Sequence, residues 1–543
     1  MTTNTGIQTQ LSELSTKIYD NYDPHNPQIY LDRAKLYAKL GFYDLAAADA
    51  YRALTLLECA IEPDSAEYVA QRRVDTTDDG DDEEEFVEIT ESEYESMIGE
   101  TYLILVQSLV QCGCLRDAFE FRGRAIEHLS SLDANFKEII SQLQNMDKGL
   151  DIPAEKMATL PGQGYARRVL YPWNEHEPDR KAPETLDLLN KRLETVAPNL
   201  EVKAVALPAL HGESNIEKEG EVSIQLGLFA KRDIQAGEII LRESSLLTAT
   251  NRLHDDLCDA CNGPLPDLSV PTEKERGERA VACASCDDII FCSQKCHDEA
   301  QETYHGAICG QEGLDSIGKD VADPKDKADY LYFLLLGRAI AMAATQDMHP
   351  LEMPEIKYIW GDFHDYHPDA DNESKEEYSL PFSFQLNILQ PTRLLEEMGL
   401  DPFTTLARYD TWILNTLYAK FRGTASGRLS TWDGGPEVCA VHPLWCLANH
   451  SCDPNVRWEW GGEICFMVRK KDEKAVWRRE IDGVKEERAT ETSKEGVMIR
   501  KGEEILNHYC DIGIEVRERR EWARGALGGL CQCARCQWEA ADD

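Results

Sequence analysis

Asn449-His450-Ser451-Cys452-Asp453-Pro454-Asn455 and, about fifty residues later, Ile505-Leu506-Asn507-His508-Tyr509-Cys510-Asp511 are the stretches on which the reading of this chain turns. Each is a short polar segment with apolar flanks. Asn, His and Tyr hydrogen-bond and orient rather than fill cores, so both read as loops built to hold a ligand. Cys452 has a second use. The last segment carries Cys531-x-Cys533-x2-Cys536, three thiols where a tetrahedral zinc site needs four, and Cys452 is the natural fourth ligand. Zinc would then tie the end of the chain over the 449–455 loop.

Between the two stretches, strands are predicted at 456–460 and 463–468 around a Gly461-Gly462 hairpin turn. Residues 470–495, charged and poor in apolar side chains, read as an inserted surface loop before the strand leading to Tyr509. Upstream, 258–309 breaks with its surroundings: Cys258-x2-Cys261, Cys283-x2-Cys286, Cys292-x3-Cys296, His305-x3-Cys309. Eight soft ligands in four pairs suit two tetrahedral zinc ions, because each ion needs four donors and one tight turn presents only two. His297 is an alternative to His305, which makes the cleaner pair with Cys309. With no coordination position left open, such ions staple a small domain that lacks a core of its own. Before this segment, strands are predicted at 222–230 and 239–241, separated by the Gln235-Ala236-Gly237-Glu238 turn. After it, the chain is mostly helical to about residue 431, with the clearest apolar spacing at 330–342 and 409–421 and an acidic loop at 362–377.

Toward the N-terminus, Ala34, Tyr37, Gly41, Tyr43, Ala46, Ala50 and Ala53 fall at the small, aromatic and glycine positions of a tetratricopeptide (TPR) repeat. Val106, Leu109, Gly113, Leu115, Ala118 and Ala125 form a weaker second copy, about two repeat lengths of ~34 residues further on. The acidic run at 78–85 supplies the insertion between them, either a solvated loop or a docking strip for a basic partner. Residues 1–26 are polar, with one short helix expected at 11–19, and Cys112 and Cys114 read as packing residues. Pro153, Pro161, Pro172, Pro178 and Pro183 mark a linker with short helical pieces, one at 184–196.

A chain of 543 residues that is 42% hydrophobic can bury several cores and is expected to be multidomain. Its formal net charge of -42 argues against gripping nucleic acid phosphates and either suits a basic partner, such as a histone tail or another Lys-rich protein, or only keeps the chain in solution. No apolar stretch follows a basic start, and the most apolar window, 330–344, is too short to span a bilayer and carries Arg338. The expectation is a soluble intracellular protein, cytoplasmic and/or nuclear, whose 18 cysteines are largely reduced zinc ligands.

In order and spacing these motifs resemble the SET and MYND domain lysine methyltransferases, in the subgroup with N-terminal tetratricopeptide-like repeats. The resemblance rests on Gly227-Leu228-Phe229-Ala230 with Gly237-Glu238, the eight-ligand finger, Asn449-His450-Ser451-Cys452-x-Pro454-Asn455, the segment ending in Tyr509 and the terminal cysteine trio. It implies an α+β multidomain fold: TPR-like helical repeats at 1–148, a linker at 149–200, the first part of SET at 201–257, a MYND zinc finger at 258–309, a helical insert at 310–435, the SET core at 436–511 and a zinc-binding post-SET segment at 512–543. It implies interleaved finger ligands, Cys258, Cys261, Cys292 and Cys296 on one zinc and Cys283, Cys286, His305 and Cys309 on the other. With Cys452, Cys531, Cys533 and Cys536 the total is about three structural ions. It further implies S-adenosylmethionine bound by Gly227, Leu228, Asn449, His450 and Tyr509, with Tyr509 the catalytic tyrosine, and a protein lysine as methyl acceptor. Protein partners would bind through the repeats and the finger. The chain departs from the family at Leu527-Gly528-Gly529-Leu530, where aromatics are expected, so either Trp522 or Trp538 substitutes or the channel is more open. Asn415 is the candidate for a further cofactor-contacting Asn. The alternative reading is a catalytically degenerate SET and MYND adaptor.

Overall fold

The computed structural model describes residues 2–21, 23–61, 89–132, 135–146, 149–208, 222–250, 257–266, 279–286, 289–315, 317, 327–361, 363, 379–429, 436–481, 484–489, 497–527 and 529–540. The acidic run at 78–85 and, Phe363 apart, the stretch 362–377 lie outside them. The chain divides into two compact units, Met1–Trp173 with His364–Asn415, and Asn174–Phe363 with Thr416–Asp543.

The first unit is built on helices Thr2–Tyr19, Pro27–Leu40, Tyr43–Ile61, Glu91–Cys112, Leu115–Ser131 and Lys137–Gln144. The first of these is twice the length expected from 11–19. Pro27–Leu40 ends at Gly41 with φ 78°, and Glu91–Cys112 ends at Gly113 with φ 84°; this left-handed conformation is cheap only for glycine and turns the chain straight into the next helix. Ala46, Ala50 and Ala53 are fully buried, so paired helices approach closely. Thr90 and Glu93 form a reciprocal capping box at the start of Glu91–Cys112.

Part of the expected linker and part of the expected helical insert belong to this unit. Gln163–Arg167 forms a strand antiparallel to Ser379–Ser383, with Tyr165 opposite Pro381. Asp410 reaches buried Arg33 at 2.9 Å, and Arg33 also binds Asp49 at 2.6 Å. A five-residue strand among prolines and glycines carries little local signal; its partner lies some two hundred residues away in sequence, so only the tertiary pairing reveals it.

The second unit holds the other described strands. Leu200–Pro208 pairs antiparallel with Val222–Ala230, and Val456–Trp460, Ile464–Val468 and Ile239–Glu243 form a three-stranded sheet. Ile464, Phe466 and Val468 alternate inward and pack with Leu226, Leu228, Leu241 and Ile505. Gly462, at φ 96°, makes the hairpin turn where it was expected. The apolar spacings around 330–342 and 409–421 correspond to helices Lys327–Thr345 and Thr411–Thr424.

Within 470–495 the described residues include a hairpin, Val476–Ile481 against Val484–Ala489, rather than only a loop. Arg478 lies opposite Glu487 and Arg479 opposite Glu486, each pair hydrogen-bonded, and Trp477 meets Trp538 with ring centroids 6.0 Å apart. Cross-strand charge pairs and one aromatic contact support this ribbon, and a search for apolar periodicity does not register them.

Candidate active site and metal groups

The two stretches that opened the sequence reading meet as strands. Asn449–His450 runs parallel to Leu506–Asn507, and the Ser451 N–H donates to Asn507 O at 2.8 Å. Asn455 fastens the crossing with three bonds. Its backbone N–H donates to Leu506 O (3.1 Å), its side-chain nitrogen donates to Glu504 O (2.7 Å), and its side-chain oxygen accepts from Leu506 N (2.8 Å). The glycine-containing strand joins on the other side, where Ile505 N donates to Leu228 O at 2.8 Å. Asn449 Nδ2 donates to Leu226 O (3.0 Å) and to Glu504 Oε1 (2.7 Å), which fixes the orientation of that amide. A Cβ on Gly227 would stand 2.7 Å from Glu504 Oε1 and 3.0 Å from Asn449 Nδ2, so the close approach requires glycine.

Tyr509 is held at both ends. Its hydroxyl donates to Ala448 O at 2.9 Å, and its backbone N–H donates to His450 Nδ1 at 3.0 Å. The two rings lie 5.1 Å apart. Burial pushes the Tyr509 phenol well above its ordinary value, so it stays protonated at neutral pH. Burial pulls His450 down to about 4, so its ring is neutral. Glu243, buried, accepts the Leu444 N–H and, at 2.7 Å, the Trp445 N–H, and thereby holds the turn that leads to Ala448. Desolvation pushes the Glu243 carboxyl up to about 7. Asn507 is fully buried, and neither atom of its amide has a hydrogen-bond partner.

Glu243, Glu504 and Asn507 had no role in the sequence reading. Asn507 and Glu504 stand in or beside the quoted stretch, so the signal was their place next to Tyr509. Glu243 offered none, since its use depends on a turn two hundred residues away.

The cysteines gather into three groups of four, the ligand atoms of each within 4.8 Å of one another: Cys258, Cys261, Cys292 and Cys296; Cys283, Cys286, His305 and Cys309; and Cys452, Cys531, Cys533 and Cys536. A tetrahedron with Zn–S of ~2.3 Å has S–S edges of roughly 3.8 Å. Cys261–Cys292 at 3.8 Å, Cys283–Cys309 at 3.7 Å, Cys452–Cys536 at 3.4 Å and Cys452–Cys531 at 4.0 Å bracket that length, so each group can hold a zinc ion. His305 Nε2 lies 3.2 Å from Cys283 Sγ and 3.5 Å from Cys286 Sγ. It sits at the end of a π-helical turn, Gln301–His305, whose wider winding changes the direction of the side chains that follow. His297 is instead engaged by Asp298 Oδ1 at 2.9 Å.

Other candidates lie elsewhere. Asn415 is buried in the first unit, where Nδ2 donates to Asp44 Oδ2 at 2.7 Å, so its amide is committed there. Cys112 and Cys114 are buried in the helical core and belong to none of the metal groups. Trp538 packs on Trp477, and Trp522 is 56% exposed. Gly528 lies outside the described residues.

Residues 225–475 match the SET domain. What this defines is a SET region within a chain whose cysteine-rich groups could hold metal ions, and a SET domain implies protein-lysine methyltransferase activity with S-adenosylmethionine as donor. The match begins two residues before Gly227, takes in 449–455 and stops at Ala475, at the edge of the 476–489 hairpin. Tyr509 lies beyond it in sequence, and the pairing of Leu506–Asn507 with Asn449–His450 brings it back. No curated protein matches the chain. No described helix is long and apolar enough to cross a membrane.

Proposed function

We propose that the protein is an S-adenosylmethionine-dependent protein-lysine N-methyltransferase of the SET and MYND type, acting on a histone tail or another basic protein. The observation that carries this reading is the single hydrogen-bonded crossing that joins the Gly227 strand, Asn449–His450 and the backbone of Tyr509. Bound there, S-adenosylmethionine supplies an electrophilic methyl group on a sulfonium. The residues fit such a group. Gly227 lets the Asn449 and Glu504 side chains approach its strand closely, and the buried amide of Asn507 offers a donor and an acceptor that a polar ligand would satisfy.

Transfer is an in-line displacement by a neutral amine, so the protein's work is alignment and control of the amine's proton. The Tyr509 hydroxyl spends its hydrogen on Ala448 O and keeps its lone pairs as acceptors for an amine N–H. Its raised pKa makes it an orienting dipole rather than a base. The target lysine must therefore arrive deprotonated, which desolvation favours by lowering its pKa. The net charge of -42 favours a basic substrate. The three cysteine groups, closed by four ligands each, act structurally as zinc sites, with Cys452 tying the C-terminal segment to the 449–455 loop. The N-terminal helix pairs, read as TPR-like, and the finger would bind protein partners, and we assign the chain to the cytoplasm and/or nucleus.

Calorimetric titration of zinc-replete protein with S-adenosylmethionine tests the reading, and absence of binding overturns it. Labelled cofactor added with cell lysate would identify the lysines. Tyr509→Phe should lower kcat by roughly 100-fold and leave cofactor affinity unchanged. A second reading, an adaptor without turnover, is favoured by the absence of aromatics at 527–530 together with the commitment of Trp538 to Trp477. It predicts peptide binding without cofactor binding.

A further inference from the structure

We propose that the His450 imidazole is a positioning residue that couples the C-terminal zinc group to Tyr509, through a relay of Cys452 Sγ, the His450 ring and the Tyr509 backbone N–H. Geometry sets the direction of the relay. His450 Nδ1 accepts the Tyr509 N–H at 3.0 Å, which requires its lone pair and leaves the ring proton on Nε2, and Nε2 stands 3.4 Å from Cys452 Sγ.

His450, Cys452 and Cys510 also bring their ligand atoms within 4.8 Å of one another, which raises a competing possibility: a further metal sharing Cys452. The tautomer argues against it. A metal on Nε2 needs the lone pair there, which moves the ring proton to Nδ1 and points it at the Tyr509 N–H. The ring therefore donates to sulfur. When Cys452 holds zinc it is a thiolate, a stronger acceptor than a thiol, and the ring is fixed more firmly. Tyr509 is then tied to zinc through its backbone and to Ala448 O through its hydroxyl. Loss of this zinc would loosen the 505–511 segment while the Cys258 and Cys283 groups remain loaded.

The importance of the relay rests on Tyr509 being catalytic, but its test does not. Hydrogen exchange of the 505–511 segment and zinc release to a chromogenic chelator are measured on the full-length, zinc-loaded protein. His450→Asn keeps an acceptor near Nδ1 and loses the donor to sulfur. His450→Gln keeps a donor near Nε2 and loses the acceptor for Tyr509. We expect His450→Asn to speed release of one of about three zinc ions by about tenfold or more, the others unchanged. We expect His450→Gln to speed exchange at the Tyr509 amide by about tenfold with zinc release unaltered. Cys536→Ser, which removes the C-terminal zinc, should speed the same amide in the wild-type background and add little in His450→Gln. Wild-type zinc release in His450→Asn, or an unchanged Tyr509 amide in either of the other variants, overturns the relay. A failure to bind S-adenosylmethionine would remove the methyltransferase reading and leave these readouts intact.

Discussion

The finger groups and the C-terminal group use the same chemistry over different lengths of chain. All eight finger ligands fall within 258–309, whereas Cys452 is 79 residues from Cys531 and 84 from Cys536. A zinc ion that closes short loops stabilises the piece it sits in. One that closes a long loop fixes the position of two distant segments, here the 449–455 loop and the last helix, Ala534–Glu539. Arg535 reinforces the second arrangement by donating to Cys452 O at 2.8 Å and to Ile512 O at 2.9 Å. On the proposed reading the two 258–309 groups form a module of their own, and the C-terminal group belongs to the framework of the candidate site.

The largest expected effect separates the two directly. Cys452→Ser should lower bound zinc from about three to about two ions and reduce S-adenosylmethionine affinity by about 100-fold, read by metal analysis and calorimetry. Cys286→Ser should cost one zinc as well but leave cofactor affinity within about twofold. Equal losses in both variants would break the comparison.

Gly227→Ala comes next. Its Cβ would meet Glu504 Oε1 at 2.7 Å, so the Asn449–Glu504 bond must yield; we expect a loss of about 1–3 kcal/mol by denaturant unfolding, with zinc content unchanged.

A smaller, pH-dependent effect comes from Glu243. Its folded pKa, about 7, lies above its ordinary value of 4.5, so the folded state holds the proton more tightly than the unfolded state. Its contribution to stability is fully present below pH 4.5 and is lost as pH rises through 7. Wild-type unfolding midpoints should therefore fall relative to those of Glu243→Gln between these limits, and parallel profiles would contradict the assignment. The smallest effect is at the hairpin. Arg479→Ala should cost about 1 kcal/mol or less, because its partner Glu486 is solvent-exposed, and should leave both kinds of zinc site unchanged.

What could be read along the chain depended on how local each feature is. Gly41 and Gly113 announced the helix turns because a left-handed residue is decided by its own backbone. The four finger pairs announced themselves because metal ligands must be adjacent in tight turns. The Gly461-Gly462 hairpin and the strands around it were legible for the same reason. The Val476–Ile481 hairpin and the Gln163–Arg167 strand were not, since their support comes from charge pairs across strands and from a remote partner. In the candidate site, Asn449, His450 and Tyr509 were singled out by residue type, whereas Asn507, although inside the quoted stretch, stood out only through its complete burial without a hydrogen-bond partner.

By itself, the sequence determined the kinds of chemistry present: thiol and imidazole pairs spaced for zinc, a polar loop ahead of a tyrosine, and a strongly acidic composition. Ligand type and short-range spacing are properties of neighbouring residues and need no fold to be read. Tertiary structure alone decided which units the segments join, which histidine completes the second finger group, and how Cys452, His450 and Tyr509 connect. Those choices depend on the direction of individual ring nitrogens and on strands that meet across long stretches of chain, and local sequence does not encode either.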